Sequence, residues 1–274
     1  GKIVGGAASY IALATTLLHD NVGLVAVVGE DFDFDFVDDL KRRGVDTEGL
    51  QVKAGEKSFF WHGKYHMDMN SRDTLVTELN VLGNFDPIIP KTWQQPDYVM
   101  LGNLSPQVQM TTLDRLTRKP KLVVLDTMNF WMDIALDDLK AVLKKVDVLT
   151  INDEEARQLS NTYSLVKAAA LIQEMGPKIV IIKKGEHGSL LLHEDIIFPS
   201  VGFSLESILD PTGAGDSFAG AMIGYLASKK KTNFSEITGN SLEYKLSQNN
   251  LESQIYKGVL DISDKAKSEI NKRF

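Results

Sequence analysis

The most informative stretch of this chain reads Asp210-Pro211-Thr212-Gly213-Ala214-Gly215-Asp216-Ser217-Phe218, follows an apolar run and opens into the helix-like segment AGAMIGYLAS. Small residues let backbone N–H groups crowd around a phosphate or a developing oxyanion, and the positive end of the following helix favours negative charge there. The helix dipole also favours the ionised form of Asp216, which is placed to accept a proton from a hydroxyl group. The stretch predicts an anion hole at Gly213, Ala214 and Gly215 with a general base beside it.

Two other phosphate-binding motifs are excluded by the sequence. A dinucleotide-binding G-x-G-x-x-G motif needs a third glycine where this chain has Phe218. A Walker A loop fails at its nearest candidate, residues 55–58, because an acid stands where the lysine should be and the first glycine is missing. The remaining alternative is an ordinary helix N-terminus capped by Thr or Asp.

Composition limits the classes of partner. The chain has 274 residues, 43% of them hydrophobic, with a formal net charge of −7 and no cysteine. This length suits one large α/β domain, and the acidic balance leaves no basic footprint for nucleic acid. No apolar run approaches the ~20 residues that span a bilayer, and disulfides and thiolate sites are excluded. We therefore expect a cytoplasmic protein with small-molecule partners, and neither nucleic acid nor a membrane among them.

The hydrophobic pattern alternates between helix and strand. Helices are predicted over residues 7–18, 32–43, 107–118 and 134–145, and more than one helix across residues 154–175. Strands are predicted over residues 23–28, 97–101, 121–126, 146–151, 178–183 and 189–193 and near Ile196. This alternation predicts an α/β fold whose mostly parallel central sheet is covered by helices on both faces. Ligands of such sheets collect at the carboxyl ends of the strands.

Residues 50–79 interrupt this rhythm. They alternate polar and apolar side chains and are rich in aromatic residues and Thr, which favours exposed antiparallel strands. We interpret them as a β lid inserted into a core made of residues 1–49 and 80–274. The exposed edge of the lid is also where we expect a homodimer contact.

The lid carries several side chains that can meet a ligand. His62 and His66 have the H-x-x-x-H spacing of helical zinc sites, but Gly63 and the strand-like surroundings favour lid residues over zinc ligands. Arg72 is a candidate for recognising an anionic or polyhydroxylated group.

Polar side chains follow two of the predicted strands. Asn152 and Glu155 form an N-x-x-E pattern which, taken alone, indicates a helix capping arrangement. Lys184 and Gly185 follow the strand at residues 178–183, and Lys184 can neutralise phosphate charge there. The alternative is a glycine-rich hairpin with solvated lysines.

The D-x-T-G-A-G-D pattern at residues 210–216 resembles, residue for residue, the signature of the PfkB-type carbohydrate kinases, which are ribokinase-like. The resemblance covers approximately residues 5–228. It implies a ribokinase-like three-layer α/β/α sandwich with a small β-sheet lid, ATP and Mg²⁺ as cofactors, and phosphoryl transfer to an alcohol group. It makes Asp216 the catalytic base, residues 213–215 the anion hole, and Asp210 with Thr212 part of a monovalent-cation site, with K⁺ as the candidate ion.

The same resemblance assigns the nucleotide site. Asn152 and Glu155 match the motif that organises the water shell of Mg²⁺ near the nucleotide phosphates, and oxygen ligands with retained waters are what Mg²⁺ prefers. The resemblance also implies nucleotide contacts from Lys184, Gly185 and Thr212. The capping role and the metal role of the N-x-x-E pair can coexist.

The resemblance assigns the substrate site to the early glycine pair. Gly5 and Gly6 match the family's G-G-x-x-x-N pattern, in which Tyr10 replaces the Asn that contacts a substrate hydroxyl. An aromatic ring there can stack on a nucleobase or fill the core. Asn103 and Asn129 are further substrate-binding candidates at strand ends.

Both ends of the chain lie outside the match. The chain begins as though within a strand, which predicts a further segment upstream, and the family carries there a first strand with a hydroxyl-binding Asp. Near the other end, apolar residues recur at helical spacing and predict an amphipathic helix: Leu251, Ile255, Val259 and Ile262.

The sequence therefore predicts an ATP-dependent kinase that phosphorylates a hydroxymethyl group of a sugar or related small molecule. A nucleoside kinase of the same family and a non-catalytic ligand-binding protein on the same scaffold stay open as alternatives, since a fold does not determine a function.

Overall fold

The computed structural model describes residues 3–67, 69, 71–202 and 205–230. The amphipathic helix predicted over residues 251–262 lies outside these ranges. The first part of the chain forms eight elements: α1 (Ala7–Thr16), β1 (Val22–Gly23), β2 (Ala26–Gly29), α2 (Phe34–Arg42), β3 (Val45–Asp46), β4 (Leu50–Lys53), β5 (Phe60–Tyr65) and β6 (Arg72–Glu78).

The second part alternates strands and helices, as predicted. Its elements are β7 (Tyr98–Leu101), α3 (Pro106–Asp114), β8 (Leu122–Asp126), α4 (Asn129–Ile134), α5 (Leu136–Leu143), β9 (Val148–Asn152), α6 (Asp153–Ser160), α7 (Leu165–Gln173), β10 (Ile179–Lys183), β11 (Ser189–His193), β12 (Ile196–Ser200) and α8 (Ala214–Ser228).

These strands build a central sheet of six strands in the order β12-β11-β10-β9-β8-β7. Strands β7 to β10 are parallel, and β11 and β12 continue the sheet in antiparallel hairpins. Alternate residues of each parallel strand face opposite sides, as the two-residue period requires. Val123 and Leu125 pack with α5, α6 and α7, whereas Leu122 and Val124 pack under α8. The predicted three-layer α/β/α arrangement is confirmed.

Two predicted elements are divided in the structure. The strand predicted over residues 23–28 is two short strands, because β1 pairs with β3 while β2 pairs with β4. The helix predicted over residues 134–145 is also wrong in its bounds, since Ala135 leaves helical geometry (φ −146°, ψ 38°) between α4 and α5. In both places the division follows from long-range packing, which local periodicity does not report.

The lid region contains the predicted antiparallel strands. Strands β5 and β6 pair from Phe60 with Glu78 to Tyr65 with Arg72 and form a two-stranded sheet of their own. All seven residues of β6 are exposed. Strand β4, at the start of the proposed lid segment, pairs instead in parallel with β2. None of the helices in the described ranges combines the length and hydropathy that a bilayer-spanning helix requires.

Helices α1 and α8 lie unusually close together and start side by side. The Thr15 hydroxyl donates to the carbonyl of Gly220 (2.9 Å), and a Cβ atom at Gly220 would clash with the carbonyl oxygen of Ile11. A Cβ atom at Gly224 would lie 3.0 Å from the carbonyl oxygen of Thr15. This glycine contact fixes the position of the loops that precede the two helices, residues 5–6 and 210–213.

We predict that Gly220→Ala destabilises the fold. An exposed helical Gly→Ala change normally gains about 1 kcal/mol, but overpacking a tight contact costs about 1–3 kcal/mol, and Ile11 presents backbone that cannot move aside. We expect the free energy of unfolding, measured by urea denaturation, to fall by about 1–2 kcal/mol.

The matched control is Gly83→Ala, where the nearest atom to an added Cβ is the Cβ of Leu79 at 3.9 Å. We expect a change within about 0.5 kcal/mol there. Equal stability of the Gly220→Ala variant and the wild-type protein would show that α1 and α8 tolerate separation.

Candidate active site

The carboxyl ends of the parallel strands meet at one edge of the central sheet. Asp126 ends β8, Asn152 ends β9 and Lys183 ends β10. The register places Lys183 beside Asn152, and Asp126 beside Thr150. One large cleft runs along this edge and is lined by most of the predicted site residues, including Asp216.

A buried ion pair joins two of these strand ends. The ammonium group of Lys183 lies 2.9 Å from Oδ1 of Asp126, and their side chains are 17% and 9% exposed. The Thr150 hydroxyl donates to the same carboxylate oxygen at 2.9 Å. Burial alone lowers the pKa of Lys183, but the negative charges of Asp126 and Glu155 outweigh burial and raise the pKa, so the ammonium stays charged.

The predicted anion hole lies at the start of α8. Gly213 caps the helix with φ 78°, a left-handed conformation that glycine adopts without strain. The amide of Ala214 donates to the carbonyl of Pro211 at 3.1 Å, which removes it from the predicted set of donors in this conformation. The amides of Gly215 and Asp216 follow in the first turn, where a helix offers no acceptor of its own. They are the donors best placed for an anion.

Asp216 lies in the first turn of α8 among charged groups. Burial raises the pKa of its carboxyl group to about 7; the charge of Asp126 adds to this rise, whereas Lys183 and Arg72 oppose it. The side chain can therefore hold and release a proton near neutral pH. A general base works best when its pKa lies close to the working pH.

Asn152 and Glu155 form a complete capping box at the start of α6. The Asn152 side chain accepts from the amide of Glu155, and the Glu155 carboxylate accepts from the amide of Asn152, both at 2.8 Å. Glu155 is only 4% exposed, and burial raises its pKa to about 7 against the opposing charge of Lys183. The capping role is thus present, and one carboxylate oxygen is not used by the box.

The signature turn contacts the lid. The amide of Thr212 donates to Oδ1 of Asp210 at 2.9 Å, and hydrogen bonds from Thr212 lower the pKa of Asp210. A hydrogen bond of 3.2 Å joins the hydroxyl groups of Thr212 and Tyr65, which ends β5. The predicted cation-site residues are therefore neighbours, and the lid reaches them directly.

The glycine pair and Tyr10 also line the cleft. Gly6 caps α1 with φ 96°, a conformation that disfavours other residues. The Tyr10 ring lies against Gly213, where an added Cβ would overlap it, and its hydroxyl would lie 3.4 Å from a Cβ at Gly5. Burial and the charges of Asp210 and Asp216 raise the pKa of Tyr10, which keeps its hydroxyl protonated.

The two asparagine candidates are held by protein partners. The Asn103 side chain accepts from the indole N–H of Trp131 at 2.9 Å and donates to Sδ of Met128 at 3.0 Å. Asn129 begins α4 and donates to the side chain of Gln158. Asn103 lines the cleft, whereas Asn129 points its amide toward α6.

Lys184 and Gly185 lie in the turn between β10 and β11 and line the cleft. The amide of Lys184 donates to the carbonyl of Gly188 at 2.8 Å, and Gly185 adopts φ 55°. The hairpin alternative of the sequence analysis is thus present in the backbone, and it leaves the Lys184 side chain half-buried at the cleft.

Sequence reasoning missed the importance of Lys183 and Asp126. Neither residue was among the predicted site residues, yet they form the buried pair described above. The signal was present: each is the last residue of an apolar strand, and the ends of neighbouring parallel strands meet at the same edge.

Known proteins resemble this chain over most of its length. The cytidine kinase of Thermococcus kodakarensis is 31% identical over 224 residues, which cover 80% of this chain and 78% of that protein. The 1-phosphofructokinase of Haemophilus influenzae is 26% identical over 282 aligned residues, which cover 96% of this chain and 84% of that protein.

The fold also matches solved structures. A protein assigned as ribokinase II from E. coli, crystallised in complex with ATP and Mg²⁺, aligns with 95% of this chain and 89% of its own, with a TM-score of 0.70 and 20% sequence identity. The fold is therefore ribokinase-like. Residues 1–244 match the protein family described as "pfkB family carbohydrate kinase", and the chain belongs to this family of kinases.

Proposed function

We propose that this protein is an ATP-dependent kinase that transfers the γ-phosphoryl group to a hydroxymethyl group of a sugar or nucleoside, with Asp216 as the general base. The observation that carries the proposal is the position of Asp216. It lies in the first turn of α8, which also contains the amides of Gly215 and Asp216, and burial raises the pKa of its carboxyl group to about 7. A proton acceptor and an anion hole thus occupy the same helical turn.

Each part of this turn has a role in the proposed reaction. The Asp216 carboxylate accepts the proton of the acceptor hydroxyl while that hydroxyl oxygen bonds to the γ-phosphorus of ATP. The bond between this phosphorus and the bridging oxygen breaks, and ADP leaves. The amides of Gly215 and Asp216 stabilise the charge on the phosphoryl oxygens, an effect that the helix dipole strengthens. Phosphoryl transfer needs little covalent chemistry from the protein, so positioning and electrostatics supply most of the acceleration.

The donor set at the strand ends fits a nucleotide with Mg²⁺. Glu155 presents a buried carboxylate with one oxygen outside the capping box, and Lys184 and Gly185 line the same cleft. Mg²⁺ held there would neutralise negative charge on the phosphates. We assign its water-mediated contact to Glu155, the nucleotide contacts to Asn152, Lys184, Gly185 and Thr212, and a K⁺ site to Asp210 and Thr212.

The acceptor is a sugar or a nucleoside. The cytidine kinase relative favours a nucleoside, and the 1-phosphofructokinase relative favours a sugar. We place the acceptor between the loop of Gly5 and Gly6 and the start of α8, beside Tyr10 and Asn103, and keep Asn129 as a more distant candidate.

The presence of a lid favours the kinase assignment, because water that enters an open active site would hydrolyse bound ATP. We propose that residues 50–79 act as the lid and that their exposed edge forms a homodimer contact. The hydrogen bond between Tyr65 and Thr212 joins this lid to the signature turn.

Asp216→Asn tests the general base. General-base catalysis contributes about 10²–10⁴-fold, so we expect kcat to fall by that factor while the KM for ATP changes little. ADP release is measured with ATP and Mg²⁺ across a panel of sugars and nucleosides.

In the wild-type protein, kcat/KM for the best acceptor should fall about tenfold per pH unit below about pH 7, because protonation removes the base.

The matched control is Asp195→Asn, an exposed aspartate in the turn between β11 and β12, at the opposite edge of the sheet. It should retain wild-type turnover. Wild-type turnover in the Asp216→Asn variant would remove the proposed mechanism. ATP binding without turnover by the wild-type protein on any acceptor would favour the non-catalytic alternative.

Asp216→Asn should also stabilise the folded protein, by an amount that depends on pH. The folded-state pKa of Asp216 is raised to about 7, whereas an unfolded Asp titrates near 3.9, so the folded state binds more protons in this window. The wild-type protein loses this stability as pH rises from about 4 to about 7. Thermal unfolding should show little Tm gain for Asp216→Asn near pH 4 and the largest gain above about pH 7. A gain that is constant with pH would contradict the raised pKa.

Tyr65→Phe tests the contact between lid and turn. It removes one hydrogen bond, worth about 0.5–1.5 kcal/mol, and should raise the KM for the acceptor by about 2- to 10-fold. Hydrolysis of ATP without an acceptor should rise, since the lid closes less firmly. The control is Tyr163→Phe, whose side chain is 87% exposed far from the lid. Unchanged kinetics in Tyr65→Phe would show that the contact has no role in closure.

A further inference from the structure

The proposed mechanism does not use the buried ion pair between Lys183 and Asp126. Taking two charges out of water is costly, and the attraction between them repays that cost only with good geometry and further hydrogen bonds. Here the geometry is good: the two groups are 2.9 Å apart, and Thr150 donates to the same oxygen. A hydrophobic pair of the same volume would often serve stability equally well. The pair therefore calls for a role besides holding the sheet together.

The location of Lys183 indicates that role. A Cβ atom at Gly215 would lie 2.9 Å from the ammonium nitrogen of Lys183, so the ammonium touches the first turn of α8 immediately before Asp216. The N-terminus of a helix carries partial positive charge, and a cation is unfavourable there unless an anion is bound or a carboxylate compensates it. Asp126 provides that compensation and fixes the ammonium below the turn.

We propose that Lys183 is a positioning residue of the kinase: held by Asp126 against Gly215, its ammonium keeps Asp216 in the ionised, base-competent state. Lys183 acts through Asp216 and the helix turn and touches no reacting atom. This inference rests on the proposed function, because it concerns the ionisation of the proposed base.

Several charged and titratable groups face Asp216 from the surrounding elements. Asp126 approaches from β8, Lys183 from β10 and Arg72 from β6 of the lid. Tyr10 approaches from α1, and Glu155 of α6 interacts with the same ammonium group. Asp126 and Lys183 act on Asp216 in opposite directions although they belong to one ion pair. Removing either charge should therefore shift the pKa of Asp216 in opposite directions, whereas a purely structural role of the ion pair predicts no such difference.

The experiment compares Lys183→Met, Asp126→Asn and the double variant with the wild-type protein. The pH dependence of kcat/KM is measured with ATP, Mg²⁺ and the best acceptor. Its acid limb is the range of low pH in which kcat/KM falls because Asp216 becomes protonated. Lys183→Met removes a positive charge and should move the limb to higher pH, whereas Asp126→Asn removes a negative charge and should move it to lower pH. We expect shifts of about 1–3 pH units, the size of pKa shift that a neighbouring charge produces in proteins.

Conservative and matched variants complete the test. Lys183→Arg keeps the charge and should keep the limb near its wild-type position. Lys178→Met removes an exposed lysine just before β10, at the opposite edge of the sheet, and should leave the profile unchanged. Limbs that move in the same direction, or do not move, in the two folded single variants would overturn the proposal.

Removing one partner of a buried pair can prevent folding, so the double variant supplies a second test. It contains no uncompensated charge from this pair, and its limb should lie above that of Asp126→Asn, because it also lacks the Lys183 charge. Coincident limbs in these two variants would overturn the proposal. Failure of the kinase assignment itself is distinguishable, because it would appear as wild-type turnover in Asp216→Asn.

Discussion

The ammonium group of Lys183 is the interaction on which the candidate site depends. It lies among the carboxyl groups of Asp126, Glu155 and Asp216, contributed by β8, α6 and α8. Without a positive charge at this point, the carboxyl groups would repel one another across the edge of the sheet, and burial would favour their neutral forms. The three layers of the fold therefore meet at one cation, and the parallel register of β8, β9 and β10 brings it there.

Holding these charges out of water lowers the stability of the fold, and the remaining structure offsets that cost. The capping box at α6 satisfies backbone groups with the same Glu155 carboxylate that burial disfavours. The tight glycine contact between α1 and α8 fixes the helices whose first turns border the cleft. Sites that need a charged group at neutral pH commonly reduce stability in this way, and rigid packing elsewhere compensates.

Much of the fold could be predicted from local patterns. The apolar runs that form β7 to β12 indicate buried strands directly. The glycines before α8 indicate a turn, because glycine allows backbone conformations that other residues disfavour. Each of these signals can be identified from neighbouring residues in the sequence. The division of residues 23–28 between β1 and β2 could not be predicted, because it depends on which distant strand pairs with each half. The Lys183–Asp126 pair needs the order of neighbouring strands, which periodicity does not report. The amide of Ala214 was expected in the anion hole, but its bond to Pro211 is a detail of turn geometry.

The position of Tyr10 bears on how an acceptor is chosen. Its ring lies against Gly213, in the turn that leads to Asp216, and its hydroxyl lies near Gly5. If Asp216 takes the proton of the reacting hydroxyl, the part of the acceptor beside Tyr10 is the reactive end, which sugars and nucleosides share. A nucleobase is separated from that end by the whole ribose ring, so Tyr10 is poorly placed to stack on it. Discrimination between the two acceptors must then come from other side chains that line the cleft, among them Trp61 on the hairpin of β5 and β6.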